Sequence, residues 1–256
     1  MTENSYAIVV GGASGLGAEI ARTMAAHGYA VVIGDRNFEA ARELVAQLGD
    51  GGHAAAAVDV SDEDSVATFF ESVTQRPGSF DVAVNCAGIT ALGLVTELPV
   101  AKFRRVVDVC LTGAFLFTQY AGRHIADGGA IISLSSLNAR QPAVGMSAYC
   151  SAKAGLSMLT QVAALELGSR GVRVNAVAPG LVRTPLTSGA LGVRGVESEY
   201  VENIPLGHPG TPQDIAQAVL YMAQAQWLTG EVLDLNGGAH MMRYPNVKAH
   251  FEAAQS

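Results

Sequence analysis

Apolar residues follow two alternating patterns along the chain. Short runs rich in β-branched residues, without polar alternation, are typical of strands buried on both faces of a sheet. Between them, apolar residues recur at helical spacing, as in Leu16, Ile20 and Met24, which predicts amphipathic helices. The predicted strands are residues 6–10, 30–33, 54–58, 82–84, 130–134, 172–177 and 232–235, and the later helices are 38–48, 62–73, 103–125, 148–167 and 213–223.

This alternation predicts a doubly wound α/β sandwich, in which right-handed crossovers join parallel strands and helices flank the sheet. The chain has 256 residues, a length that α/β folds often reach as one domain, and it contains no repeat or linker. We therefore expect one domain over residues 1–256. Residues 185–210 break the alternation with a long, glycine-containing segment, which predicts a lid over a pocket. Residues 239–256 continue past the last strand as a tail.

Composition and charge argue against several classes of protein. Only 15% of the residues are charged and 49% are hydrophobic, which excludes a disordered chain. The net charge of −7 argues against a nucleic-acid or anionic membrane partner. The number of cysteines is odd, which is unusual for a disulfide framework. We also find no basic and apolar leader and no apolar run of membrane-spanning length. These features predict a cytoplasmic protein. The histidines lack metal-ligand spacing, so no metal site is expected.

A glycine-rich segment follows the first predicted strand. Gly11, Gly15 and Gly17 have the spacing G-x₃-G-x-G, which lets backbone approach a pyrophosphate at a helix start, although a plain glycine turn is the alternative. Asp35 ends the second strand, where a carboxylate can accept both hydroxyls of an adenosine ribose and repel a 2′-phosphate. The pattern therefore predicts NAD rather than NADP. Arg36 argues against this prediction, because its guanidinium could pair with the 2′-phosphate of NADP. A helix N-cap is the alternative role for Asp35.

Tyr149 and Lys153 lie four residues apart on one face of a predicted helix. A cation about 4 Å from a phenol, at an effective dielectric of about 20, contributes about 4 kcal/mol, or up to about three pKa units. We therefore expect Lys153 to lower the pKa of Tyr149 into a range useful for exchanging a proton with an alcohol. The alternative is an exposed tyrosine beside an exposed lysine. Ser136 follows a predicted strand, and the carboxyl edge of a parallel sheet is where ligands bind.

Several segments of the chain form one combined motif through their order and spacing. They are Gly11-x₃-Gly15-x-Gly17, Asn85-Cys86-Ala87-Gly88, Ser136, Tyr149-x₃-Lys153 and Pro179-Gly180-Leu181-Val182-Arg183-Thr184. Together they resemble the short-chain dehydrogenase/reductase family, from about Tyr6 to Gly238. The resemblance implies a single seven-stranded Rossmann domain, NAD(P)-dependent hydride transfer and a homotetramer. It also implies that the tail crosses a subunit boundary; the alternative is that it frays.

The same resemblance implies roles for individual residues. Tyr149 would be the general acid/base, Lys153 would lower its pKa and hold the nicotinamide ribose, and Ser136 would hydrogen-bond the reacting oxygen. The Asn85 segment would lie against the adenosine ribose. The pair Asp59-Val60 would meet the adenine ring, and Val182 with Thr184 would anchor the carboxamide. The implied cofactor-binding residues are Gly11, Ser14, Gly15, Leu16, Gly17, Asp35, Arg36, Asp59, Val60, Asn85, Ala87, Gly88, Tyr149, Lys153, Pro179, Val182 and Thr184.

Two departures from the family pattern affect the site. Val10 stands where the family has a threonine, for which we expect an effect on stability rather than lost chemistry. Cys110 stands where the family has an asparagine counted as a fourth catalytic residue. Its main-chain carbonyl remains, so the proton relay can survive, and Cys110 is not counted as catalytic. A reactive thiol is the alternative for Cys110.

Largely apolar residues near the lid predict a pocket for a hydrophobic carbonyl compound or secondary alcohol. The candidate lining residues are Asn138, Val144, Met146, Leu186 and Leu191, although Leu186 and Leu191 could equally pack a lid helix. The preferred function is an NAD(H)-dependent oxidoreductase that interconverts a secondary alcohol and a ketone. The alternatives are a 3-oxoacyl-thioester reductase or 3-hydroxyacyl-CoA dehydrogenase, and a nucleotide-sensing protein that has lost catalysis.

Overall fold

Seven parallel strands form one sheet in the computed structural model, which describes residues 6–76 and 79–255 of the chain. The strand order is β3-β2-β1-β4-β5-β6-β7, and every neighbouring pair is parallel. This confirms the predicted doubly wound α/β fold. Residues 1–5, 77, 78 and 256, which belong to the expected domain and tail, lie outside the described residues. The strands are β1 (Tyr6–Val10), β2 (Ala30–Asp35), β3 (Ala54–Ala57), β4 (Val82–Asn85), β5 (Ala130–Leu134), β6 (Arg173–Pro179) and β7 (Val232–Leu235).

Helices cover both faces of this sheet, and several begin at capping residues. Asn37 and Asp62 accept backbone N–H groups of α2 and α3, and Thr211 forms a capping box with Asp214 at the start of α9. None of the described helices is both long and apolar enough to cross a membrane. The helices are α1 (Gly15–Ala26), α2 (Phe38–Gln47), α3 (Glu63–Thr74), α4 (Val100–Val107), α5 (Gly113–His124), α6 (Ser147–Leu167), α7 (Pro185–Leu191), α8 (Val196–Glu202), α9 (Pro212–Gln224) and α10 (Val247–Gln255).

The helix expected over residues 103–125 is instead interrupted. It begins at Val100, after Pro99, and α4 continues through one π-helical turn, Asp108–Thr112, into α5. Apolar periodicity continues across such a turn, so the hydrophobic pattern alone resembles one uninterrupted helix. The turn contains Cys110, one of the two departures from the family pattern.

Two apolar cores hold the helices against the sheet. On one face, Phe69 and Phe70 of α3 pack with Phe117 of α5, and the rings of Phe70 and Phe117 lie 5.8 Å apart. On the other face, Ile20 and Met24 of α1 pack among residues of α2 and α9. Each such fully buried side chain contributes about 1.5–3 kcal/mol to stability. The two cores fix the sheet so that the carboxyl ends of its strands meet at one edge.

The lid (residues 185–210) and the described tail (residues 239–255) pack against each other. The lid forms α7 and α8, and the tail forms a short turn and α10. Glu199 of α8 accepts hydrogen bonds from Arg243, from the Asn246 backbone at 3.3 Å, and from His250 at 2.5 Å. The tail is helical and lies on the lid of its own chain, so the described tail does not fray, and the expectation that it crosses a subunit boundary stays a prediction.

Candidate active site

A cavity of about 610 Å³ opens at the carboxyl edge of the sheet. Residues that follow β1, β2, β4, β5 and β6 line one part of it, and residues of the lid and tail line the rest. Its volume lies within the range typical of sites for small molecules and cofactors. We call the part beside the strand ends the cofactor half and the part beside the lid and tail the substrate half.

The glycine segment after β1 is shaped by close backbone approach. Gly11 has a φ of +70°, and a Cβ there would lie 2.7 Å from the Ala87 nitrogen. A Cβ on Gly17 would lie 2.1 Å from the Gly11 carbonyl oxygen, so no larger residue fits without movement of the backbone. Ser14 begins α1 without a side-chain cap, and the first turn of α1 lines the cavity. A helix start with free N–H groups beside a glycine cradle fits a pyrophosphate.

Asp35 connects the glycine segment to the start of α2. One carboxylate oxygen accepts a hydrogen bond from the Ala13 nitrogen at 3.0 Å, and the other accepts one from the Asn37 nitrogen at 2.9 Å. Because Asn37 is the N-cap of α2, the alternative role of Asp35 as that cap is wrong. A carboxylate has about four acceptor sites, so Asp35 can still accept hydrogen bonds from a ligand in the cavity it lines.

A second carboxylate, Asp59, lies with two arginines at the same end of the cavity. Hydrogen bonds from the Ser61 side chain and backbone lower the pKa of Asp59, and Arg105 and Arg36 add to this effect. The Arg105 guanidinium donates to the Ser61 hydroxyl at 2.7 Å and lies 3.8 Å from the Asp59 carboxylate. Sequence analysis missed Arg105, because it comes from α4 rather than from a strand end.

The turn after β4 contacts the glycine segment through backbone atoms. Asn85 is buried and does not line the cavity, and its expected contact with a cofactor stays a prediction. Its side chain instead accepts a hydrogen bond from the Ala87 nitrogen at 3.1 Å and so shapes the turn that does line the cavity. The Cys86 nitrogen donates to the Val10 carbonyl at 2.8 Å. A backbone bond therefore joins this turn to β1, although Val10 has no hydroxyl.

Ser136, Tyr149 and Lys153 converge where the two halves of the cavity meet. Ser136 follows β5, and Tyr149 and Lys153 lie one turn apart on α6. The Ser136 hydroxyl hydrogen-bonds the Tyr149 phenol. The Lys153 ammonium donates to the Leu134 carbonyl at 2.6 Å and lies 5.6 Å from the centre of the Tyr149 ring. Tyr149 is 9% exposed and Lys153 3%, so the alternative of an exposed pair is wrong.

The pKa of Tyr149 does not shift in the expected direction. Burial raises it above the usual value of 10.0, and the nearby thiols Cys110 and Cys150 raise it further, while the hydrogen bond from Ser136 lowers it. Burial also lowers the pKa of Lys153. Loss of water around a buried phenolate therefore outweighs the effect predicted from the lysine four residues away.

Cys110 supports the cavity wall from behind. Its thiol donates to the Ile89 carbonyl at 3.3 Å and accepts from the Ile89 nitrogen at 3.4 Å. A Cβ on Gly88 would lie 3.9 Å from the Cys110 sulfur and 3.8 Å from the Lys153 nitrogen. The buried thiol thus anchors the segment after β4 close to Lys153, which favours a structural role over a reactive one.

The substrate half differs most from the sequence expectation. Asn138, Met146 and Leu186 line it as predicted, but Val144 and Leu191 do not. Val144 is half exposed, and Leu191 packs beneath the lid in a small apolar cluster, so only Leu191 follows the lid-packing alternative. Among the described residues, the lining residues that sequence analysis missed include Leu92, Tyr200, Tyr244, Val247 and Phe251.

The remaining predicted residues line the cofactor half. They reach it from several strand ends and from the start of α1. These residues are Gly15, Leu16, Arg36, Val60, Ala87, Gly88, Pro179, Val182 and Thr184.

Comparison with known proteins gives consistent similarities over nearly the whole chain. Residues 11–240 match the family model described as enoyl-(acyl carrier protein) reductase. The chain is 41% identical over 239 residues to cis-4-hydroxycyclohexanecarboxylate dehydrogenase of Sinomonas cyclohexanicum, covering 91% of this chain and 95% of that protein. It is 38% identical over 246 residues to 3beta-hydroxysteroid dehydrogenase 1 of Eggerthella lenta, covering 93% and 94%. A solved short-chain type dehydrogenase/reductase from Mycobacterium ulcerans superposes with a TM-score of 0.93 at 30% identity, covering 98% of this chain and 94% of that one.

Proposed function

Since the chain belongs to the short-chain dehydrogenase/reductase family of oxidoreductases, we propose that it interconverts a secondary alcohol and a ketone with NAD(H) as its cofactor. The observation that carries this proposal is the convergence of Ser136, Tyr149 and Lys153 between a glycine cradle and a largely apolar pocket. A hydrogen-bonded phenol at that junction can exchange a proton with an oxygen held beside it.

The cofactor half supports a dinucleotide held chiefly by backbone. Gly11, Gly17 and the first turn of α1 would hold the pyrophosphate, and Asp35 would accept the adenosine ribose hydroxyls. We propose NAD over NADP because a 2′-phosphate would face the Asp35 carboxylate. Arg36 and Arg105, which line the same end of the cavity, oppose that preference, because a guanidinium can pair with a phosphate. When bound, the dinucleotide supplies hydride to the ketone carbon or accepts it from the alcohol carbon.

Tyr149 and Ser136 would both hydrogen-bond the reacting oxygen of the substrate. In the reduction, Tyr149 gives its proton to the carbonyl oxygen as that oxygen gains negative charge, and the resulting phenolate later regains a proton from solvent. Ser136 donates a hydrogen bond to the same oxygen and stabilises the developing charge. Lys153 would hold the nicotinamide ribose and place a positive charge beside the phenolate. Because burial keeps Tyr149 protonated, it serves directly as the acid in the reduction, whereas the oxidation requires its deprotonation.

Two substrate classes are supported to different degrees. The two reported relatives are named for substrates that carry a hydroxyl on a ring. The apolar substrate half fits an alicyclic skeleton, so an alicyclic alcohol is our first candidate. A 3-oxoacyl or 3-hydroxyacyl thioester is the second, favoured by similarity to the 3-oxoacyl-[acyl-carrier-protein] reductase of Chlamydia muridarum and to the (3R)-3-hydroxyacyl-CoA dehydrogenase of Rattus norvegicus. The intact group of Ser136, Tyr149 and Lys153 argues against a nucleotide sensor without catalysis.

A panel of substrates assayed with both cofactors tests the proposal. The panel contains cyclohexanones, decalones, steroid ketones and acetoacetyl thioesters, each reduced with NADH and with NADPH. We expect turnover of at least one alicyclic ketone, with kcat/KM about tenfold or more higher for NADH than for NADPH, as expected for a phosphate that meets a carboxylate. Better turnover of the thioesters would favour the second candidate. Binding of dinucleotide without turnover of any panel member would contradict the enzymatic proposal.

We propose that the protein is a cytoplasmic homotetramer. Cys86, Cys110 and Cys150 are free thiols, as is usual in a reducing compartment. Burial raises the pKa of Cys86 to about 12, so it stays protonated. Exposed apolar side chains such as Phe115 on α5 and Leu165 on α6 are available for subunit contacts. Light scattering on the purified protein measures the oligomeric state directly.

A further inference from the structure

Two tyrosines meet in the substrate half from segments that are far apart in sequence. Tyr200 lies on α8 of the lid and Tyr244 lies in the tail before α10. Their hydroxyl oxygens are 2.7 Å apart, and their rings pack edge to face with centroids separated by 5.6 Å. Asn138 and Met146 also line the cavity here, and both contact the Tyr244 hydroxyl. We call these four residues the tyrosine cluster.

The hydrogen bonds of the tyrosine cluster leave one phenol O–H without a strong acceptor. Each phenol has one O–H and the Asn138 amide has two N–H groups, of which one donates to the Gln141 carbonyl at 3.1 Å. Three donor hydrogens therefore remain. The acceptors within the cluster are the two phenol oxygens, the Asn138 amide oxygen and the Met146 thioether, a weak acceptor 3.8 Å from the Tyr244 oxygen. The phenol hydroxyls make their hydrogen bonds to each other and to this thioether, and the Asn138 amide acts on Tyr244 as a donor. Whichever phenol donates to the other, one O–H is left with only the thioether or with no partner inside the cluster.

The cavity wall around the tyrosine cluster is apolar, and the Glu199 and Arg243 side chains beside the cluster do not line it. Leu186, Val247 and Phe251 line the same part of the cavity. Among the described residues, those that line the cavity and carry charged side chains all lie in the cofactor half or at the catalytic junction, and none belongs to the lid or tail. They are Asp35, Arg36, Asp59, Arg105 and Lys153.

We propose that Tyr200 and Tyr244 are specificity-determining residues that bind the end of the substrate opposite its reacting carbon. The substrate is then an apolar alicyclic alcohol or ketone with a second, uncharged oxygen, which accepts the spare hydrogen bond of the phenol pair. This inference rests on the proposed function and narrows its substrate class. A carboxylate fits less well, because a buried anion requires a cation beside it and, among the described residues, no cationic side chain of the lid or tail lines the cavity.

The electrostatics of the phenols agree with a donor role. Burial raises the pKa of Tyr244 well above its usual value, and the charges of Tyr200 and Tyr149 raise it further. Burial likewise raises the pKa of Tyr200. Both phenols therefore keep their protons under any ordinary assay condition. Tyr149 lines the same cavity as the cluster, so one substrate molecule can contact both.

Matched pairs of ketones test this inference. The pairs are 4-hydroxycyclohexanone with 4-methylcyclohexanone, and 6-hydroxy-2-decalone with 6-methyl-2-decalone for a longer reach. In each pair a hydroxyl replaces a methyl group of similar size. We expect the wild-type protein to prefer the hydroxylated member of at least one pair by about tenfold or more in kcat/KM, the worth of one well-placed hydrogen bond. In Tyr200→Phe and in Tyr244→Phe, this preference should fall below about threefold, mainly through KM for the hydroxylated ketone.

Controls separate this inference from the proposed function. Tyr221→Phe, an exposed tyrosine on α9, should keep the wild-type preference. A variant that no longer binds NADH is scored as misfolded. The inference is then tested by the preference of the wild-type protein and by the loss of that preference in the other variant. Equal kcat/KM within both pairs, a preference that survives in both variants, or faster turnover of 4-oxocyclohexanecarboxylate than of the hydroxylated ketones would overturn the inference while leaving the proposed function intact. Failure to reduce any ketone would overturn the proposed function, and this inference with it.

Discussion

The two halves of the cavity are built in different ways. The cofactor half is built on strand ends and backbone, with Gly11 and Gly17 admitting close approach and with Asp35 and Asn85 accepting backbone N–H groups. The substrate half is built from side chains of the lid and tail, such as Tyr200 and Tyr244. One half depends on the sheet, which two apolar cores hold in place, and the other depends on contacts between two surface segments.

This difference predicts that the halves can be disturbed separately. A change in the glycine cradle should affect binding of the dinucleotide, and a change between lid and tail should affect the substrate. Ser136, Tyr149 and Lys153 lie where the halves meet, so a change there should stop turnover while both ligands still bind. Three substitutions test this separation, and each has a matched control.

The largest effect is expected at the junction. Tyr149→Phe removes the hydroxyl that exchanges the proton, and general acid–base catalysis contributes about 10²–10⁴-fold to rate. We expect kcat to fall by that factor while the Kd for NADH, measured by fluorescence titration, stays within about twofold. Ser151→Ala, on the exposed face of the same helix, should change neither value. A Tyr149→Phe protein with near wild-type turnover would show that the proton comes from another group.

A smaller but selective effect is expected in the cofactor half. Gly17→Ala places a methyl group 2.1 Å from the Gly11 carbonyl oxygen, so the cradle must move. We expect the Kd for NADH to rise about 100-fold, equivalent to about 2.7 kcal/mol. Titration calorimetry measures the change. Gly168→Ala, where a Cβ meets nothing within 4 Å, should bind NADH as the wild type does. Unchanged NADH binding in Gly17→Ala would show that the dinucleotide does not use this cradle.

The smallest effect is expected between lid and tail. Glu199→Gln weakens the hydrogen bonds and ion pairs from Arg243 and His250 that join α8 to the tail. Because these contacts are partly exposed, we expect KM for the ketone to rise only about threefold to tenfold, with kcat and the Kd for NADH nearly unchanged. Glu202→Gln, exposed on the same helix, is the control. A parallel loss of NADH binding in Glu199→Gln would contradict the separation of the halves.

The same difference explains what could be predicted from the sequence. The strands, the glycine cradle and the group of Ser136, Tyr149 and Lys153 depend on local patterns and on the rule that parallel strands end at one edge, so sequence spacing located them. Tyr200 and Tyr244 come together across 44 residues through the packing of two variable segments, and no local pattern indicates that contact. For the same reason the sequence indicates neither that Val144 lies outside the cavity nor which of its two alternatives Leu191 follows.

Two other differences between the sequence-based expectations and the structure have a different physical origin. The spacing of Tyr149 and Lys153 indicates their shared helix face, but it contains no information on burial, and burial decides the direction of the shift in the pKa of Tyr149. The π-helical turn at Cys110 preserves the apolar periodicity on both sides, so the hydrophobic pattern resembled one continuous helix. In both cases the outcome depends on tertiary packing, which the periodic pattern of apolar residues does not describe.

The most direct test of the central claim is a crystal structure of the protein with NADH and a ketone-like inhibitor bound. The account predicts the nicotinamide ring at the junction, with the inhibitor oxygen within about 2.6–3.2 Å of both the Tyr149 and the Ser136 hydroxyls. An inhibitor bound elsewhere, or a Tyr149 hydroxyl directed away from the nicotinamide in that complex, would contradict it.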